Sequence, residues 1–160
     1  MACGDRMCVG LACGIALLAT GGCGESAGSA AAVAALRAEI PHVLTLHFVA
    51  TTTLPGNPPP DVNVTVSNPA AQDACQATLA LPSMPAGSYN CPADFGITYT
   101  LFFEGGDTEG VMIATLDPAG CQQGKIGDGS TSISFWTATS PDYWSRLAAD
   151  LGVDESEIYP

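Results

Sequence analysis

From Phe95 to Phe103 every second residue is large and apolar: Phe95, Ile97, Tyr99, Leu101 and Phe103. Gly96, Thr98, Thr100 and Phe102 stand between them. Side chains alternate across a strand, so this stretch presents one buried face and one mostly polar face. Glu104–Gly110, rich in glycine and short acidic residues, reads as a loop tip. A second apolar run, Val111–Leu116, ends at Asp117-Pro118. The pair predicts a hairpin. If Glu104 lies opposite Gly110, the register carries Cys91 and Cys121 to the same open end. A bridge there would close a loop of roughly 30 residues and contribute about 3–4 kcal/mol through lost chain entropy.

That bridge needs an oxidising compartment, and the start of the chain supplies a reason to expect one. Met7–Ala19 is apolar behind the lone cation Arg6, and small residues lead into Leu18-Ala19-Thr20-Gly21-Gly22-Cys23. The run is too short to span a bilayer. Residues 1–22 therefore read as a targeting segment, with an ordinary secretory signal or a buried N-terminal segment as the alternatives. Cys3, Cys8 and Cys13 would leave with a cleaved signal. Residues 23–40 read as a Gly/Ser/Ala tether, within which Ser29–Ile40 has the alanine content of a short helix.

The domain proper is expected over residues 41–152. Leu44, Leu46 and Phe48 alternate with Thr45, His47 and Val49 as a first strand. His42 and His47 are five apart and would point to opposite faces, so they form no metal pair. Leu54–Pro60 is a stiff, proline-rich connector, and Val62, Val64 and Val66 mark a second strand. Asn63-Val64-Thr65 in that strand matches a glycosylation sequon. Asn68-Pro69 is a helix-start signal, with Ala71, Cys75, Thr78 and Leu79 on one face. Cys75 is expected to be a buried free thiol. Gln122–Ile126 and Thr131–Thr137 predict a second hairpin around Gly127–Ser130. Ser140-Pro141 would cap a last helix with Trp144, Leu147, Ala148 and Leu151 on its inner face and Gly152 at its end. Residues 153–160 read as a loose acidic tail. The order predicts an α+β domain: an antiparallel sheet of five to six strands with two helices packed on one face.

Composition narrows the role. The formal net charge is −12, with four Lys plus Arg in 160 residues. Nucleic acid is not expected as a partner, because phosphate binding needs clustered cations. No phosphate-cradling loop with a lysine and no Cys-x-x-Cys is present in the sequence. No cofactor or metal ligand set is predicted, and no catalytic residue is assigned. Acidic turns at Asp107/Glu109, Asp128 and Asp154/Glu155 read as solvated turns before calcium ligands. Asp94 and Asp117 flank the expected bridge and are a possible polar site, with turn capping the preferred reading. Trp136, on the polar face of its strand, is the candidate exposed aromatic.

Leu81–Gly96, with its Cys91-Pro-Ala-Asp-Phe-Gly96, followed by Asp117-Pro-Ala-Gly-Cys121, resembles small uncharacterised bacterial lipoproteins over about residues 60–151. The end of the leader is similar to a lipobox, with Thr20 where a leucine is usual. The resemblance implies cleavage before Cys23, lipid on its sulfur and amine, and a paired Cys91–Cys121. The expectation is an exported, lipid-anchored cell-envelope protein with a non-catalytic binding or accessory role, held to the membrane through Cys23 and able to meet an envelope protein partner. The alternatives are a secreted protease inhibitor presenting Leu54–Pro60 or Leu81–Tyr89, and an envelope hydrolase using Asp94 and Asp117.

Overall fold

The computed structural model describes residues 31, 34–36, 38, 43–53, 56, 59–84, 87–91, 96–105, 111–129 and 131–159. Six strands form one antiparallel sheet: β1 (Thr45–Thr52), β2 (Asn63–Ser67), β3 (Ile97–Glu104), β4 (Val111–Leu116), β5 (Gln123–Gly127) and β6 (Ser132–Trp136). Their order is β2-β1-β3-β4-β5-β6. Helices α1 (Ala70–Leu79) and α2 (Tyr143–Leu151) pack on the apolar face, and a short α3 (Glu155–Ile158) follows. The α+β architecture is the one that the alternating strands and the two amphipathic stretches predict.

The period-2 patterns decide which face is covered. Leu46, Phe48, Tyr99, Leu101, Phe103, Met112, Ala114, Leu116, Ile126, Ile133 and Phe135 are buried on one side. Thr45, His47, Thr100, Phe102, Thr115, Lys125 and Ser134 alternate with them and point to the other side. The central hairpin pairs Phe103 with Met112 and Glu104 with Val111. This is one residue away from the expected partner Gly110. A shift by one would set Phe103 against the outward Val111, so matching the two buried faces fixes the observed register.

Leu44 departs from its expected place. It is 56% exposed, and Val43 takes the core position. The Asn68 side chain donates to the Val43 carbonyl at 3.2 Å, while the Leu44 carbonyl accepts from the Asn68 N–H at 2.9 Å. This clamp lies just ahead of β1 and turns the backbone out of the strand's alternation. It also removes Asn68 from the expected N-cap role: the helix begins after Pro69, with no side-chain cap. Likewise Asp142, not Ser140, precedes α2, again with no side-chain cap bond. Gly152 does end α2, in the left-handed conformation at φ 70°.

α1 buries Ala71, Ala74, Cys75, Thr78 and Leu79, so small residues let it lie close to its neighbours. Thr78 Oγ1 donates to the Ala74 carbonyl at 2.8 Å and lies 3.0 Å from the Tyr143 hydroxyl, tying α1 to α2. Trp144 is buried between Tyr99 and Tyr143, edge-on to both, and stacks on Tyr159 with centroids 5.4 Å apart.

Two terminal expectations change. Ala34, Ala35 and Leu36 are helical, and Leu36 is buried in the core, so part of the expected tether belongs to the domain. The acidic tail is docked rather than loose. Asp154 and Glu157 form a reciprocal capping box, Ile158 is fully buried, and the Tyr159 hydroxyl accepts from Gln122 Nε2 at 2.8 Å. Two apolar residues in an otherwise acidic segment hold it down.

Candidate functional site

The turn after β4 organises one end of the sheet. Asp117 Oδ1 accepts from the Ala119 N–H at 2.9 Å, and the Gln122 N–H closes the turn onto the Ala119 carbonyl at 2.8 Å. Gly120 and Gln122 both take positive φ, 55° and 50°, which brings Cys121 back towards Cys91. The two cysteines form a disulfide, with Cα atoms 4.7 Å apart. Trp136 Nε1 donates to the Cys121 carbonyl, and the Tyr89 ring meets Trp136 edge-on at 5.0 Å. Trp136 is therefore half-buried and engaged, not a free aromatic.

Asp117 carries the turn-capping role that its place before proline predicts. Asp94 and the lipidation candidate Cys23 lie outside the described residues, as do His42, Asp107 and Glu109. His47 is satisfied on the outer face: Nδ1 is 2.9 Å from Thr65 Oγ1, and the ring lies against Phe102. Asp128 Oδ1 accepts from Thr131 N–H at 2.7 Å, so this acidic turn residue is structural. Among the described residues no group of three or more His, Cys, Asp or Glu could hold a metal ion.

Cys75 is buried and free. Burial pushes its thiol up to about 12, so it carries no thiolate at neutral pH. The Tyr143 hydroxyl is raised first by burial, against the lowering effect of the Thr78 hydrogen bond.

The sheet's outer face, left open by the helices, holds the arrangement that the sequence did not announce. A groove of about 280 Å³ runs across β3, β4, β5 and β6, lined by Thr98, Thr115, Asp117, Gln123, Lys125 and Ser134. Register alone assembles it: Thr115 lies opposite Lys125, Lys125 opposite Ser134, and Gln123 opposite Trp136. The available signal was the outward half of each alternation, which is Thr, Ser, Gln or Lys in several strands at once. No local motif marks it, because its residues come from four strands.

Two features complete this end. Met84 N–H donates to the Ser134 carbonyl at 3.2 Å, and Trp136 N–H to the Pro82 carbonyl at 3.0 Å. Residues 82–84 thus cover the outer edge of β6. On the opposite side of the molecule, Asp73, Gln76, Arg146 and Asp150 line a groove between α1 and α2 of about 450 Å³. There the Asp150 carboxyl is raised by burial and by Asp73, and partly restored by Arg146.

No protein-family model, curated protein or solved structure matches the chain.

Proposed function

We propose that this chain is a lipid-anchored cell-envelope protein, acylated at Cys23, whose disulfide-closed domain serves a non-catalytic binding or accessory role. The observation that carries the reading is the Cys91–Cys121 bridge. Disulfides persist outside the reducing cytoplasm, and a leader ending in Gly21-Gly22-Cys23 fits the same route. An anchor at Cys23 leaves the domain, whose first core residue among the described ones is Leu36, a short distance from the membrane. The binding role draws on the outer sheet face, which combines a polar groove with the exposed Val111 and Ile113.

The test is fractionation and crosslinking of a C-terminally tagged chain in a bacterial host. The expected result is recovery with the membranes, release to the soluble exported fraction in Cys23→Ser, and a disulfide-bonded Cys91–Cys121 in both. Recovery of the wild-type chain in the cytosol with reduced thiols would overturn the proposal. A single crosslinked envelope protein would identify an accessory role. Crosslinking to no protein would point the binding role towards small molecules.

A further inference from the structure

We infer that the outer-face groove between β3 and β6 is a binding site for a small neutral saccharide. The inference deepens the binding role proposed above but does not depend on the lipid anchor.

Charge comes first. The groove holds one ammonium, Lys125, and one carboxylate, Asp117, so its own formal charges cancel. The surrounding molecule carries −12 overall. A free anion gains from Lys125 but meets both Asp117 and the field of the whole chain. A neutral ligand meets no such penalty.

The lining then selects the chemistry. Thr98, Thr115 and Ser134 bring hydroxyls that donate and accept, and Gln123 brings an amide that does both. A ligand suited to such a surface must offer donors and acceptors together at short spacing, as vicinal hydroxyls do. Gln123, Lys125, Thr115 and Ser134 are exposed, so their polar ends are presented to a ligand from solvent. Polar and apolar surface share the lining about equally, Leu116 and Gly124 included, so a ligand with both hydroxyls and C–H faces matches it.

Size and a neighbouring aromatic agree. The volume, about 280 Å³, lies near the lower limit of roughly 300 Å³ for pockets that hold drug-sized ligands. It suits a small sugar rather than a peptide. Trp136 stands two residues beyond Ser134 on the same strand face and opposite Gln123. Its indole is fixed by the bond to the Cys121 carbonyl and by Tyr89. A fixed aromatic at the strand positions next to Ser134 and Gln123 offers a surface for the C–H face of a sugar ring.

The experiment is an amide chemical-shift titration of the purified full chain with maltose, cellobiose and N,N′-diacetylchitobiose. Glucuronate and inorganic phosphate serve as anionic comparisons. The expected result is saturable shifts of residues 98, 115, 123–125 and 134 with at least one neutral disaccharide, at a Kd of roughly 1 mM. Gln123→Ala and Ser134→Val, both at exposed positions, should each weaken binding by roughly tenfold with an unchanged melting temperature. Saturation by glucuronate or phosphate alone would overturn the inference and make this an anion site on Lys125. Shifts confined to other surfaces, or no saturation by any saccharide, would also overturn it. The N-terminal mass of the same sample reads the anchor separately, so a failure of sugar binding and a failure of lipidation are distinguishable.

Discussion

Gly124 stands on the core side of β5, where its missing side chain makes room for the Phe135 ring. A Cβ there would come within 2.5 Å of Phe135 Cζ and 2.7 Å of the Thr115 carbonyl oxygen. Gly124→Ala should therefore cost about 1–3 kcal/mol through overpacking, measured by urea unfolding. Stability unchanged to within a few tenths would mean that β5 and β6 sit further apart. Cys75 gives a second test at this scale. With its thiol held near 12, it should resist iodoacetamide at pH 8 in the folded protein and react fully in denaturant. Rapid labelling of the native chain would contradict its burial. The thiol's place was legible, because the spacing of Ala71, Cys75, Thr78 and Leu79 puts it on an inner helix face. The partner of Asn68 was not: a side-chain bond to Val43, 25 residues earlier, leaves no trace in local sequence.

Among the elements, strand and helix positions followed from periodicity, because apolar faces with periods of 2 and 3.6 have few other ways to be buried. The tail shows what was overlooked. Its Asp154–Glu157 pair is a capping-box pattern, and Ile158 and Tyr159 are the residues an acidic overhang would not need. Truncation after Val153 should destabilise the domain by about 2–5 kcal/mol, the range for losing a buried aliphatic side chain. It should also shift Trp144 emission to the red, as its stacking partner Tyr159 is removed. An unchanged spectrum and midpoint would mean the tail is not docked. Between α1 and α2, Asp150 has its carboxyl raised by burial and by Asp73. A raised carboxyl binds more protons in the folded state, so its contribution to stability falls as pH rises through the folded value. Asp150→Asn should then raise the melting temperature at pH 7. The gain should vanish as pH drops below the ordinary aspartate value of 3.8. A loss of stability at pH 7 would show the Arg146 attraction to be dominant.

For the whole molecule, the fold was more legible than the site. A sheet covered on one face follows from summing local patterns, and the Cys91–Cys121 pairing follows from hairpin geometry that tolerates a one-residue error. The groove needs the register of four strands at once, and a single-residue slip would replace its hydroxyls with core side chains. The disulfide ties the open end of the central hairpin together. It closes a separation of 30 residues, and the double variant Cys91→Ala/Cys121→Ala should lose about 3–4 kcal/mol. The central claim, however, is that this domain is exported and held to a membrane by lipid. The measurement that tests it most directly is the intact mass of the N-terminal peptide from protein isolated in a bacterial host. The account predicts a peptide beginning at Cys23 with the added mass of acyl chains, and its loss in Cys23→Ser. A peptide beginning at Met1, or at an unmodified residue after a different cleavage, would contradict it.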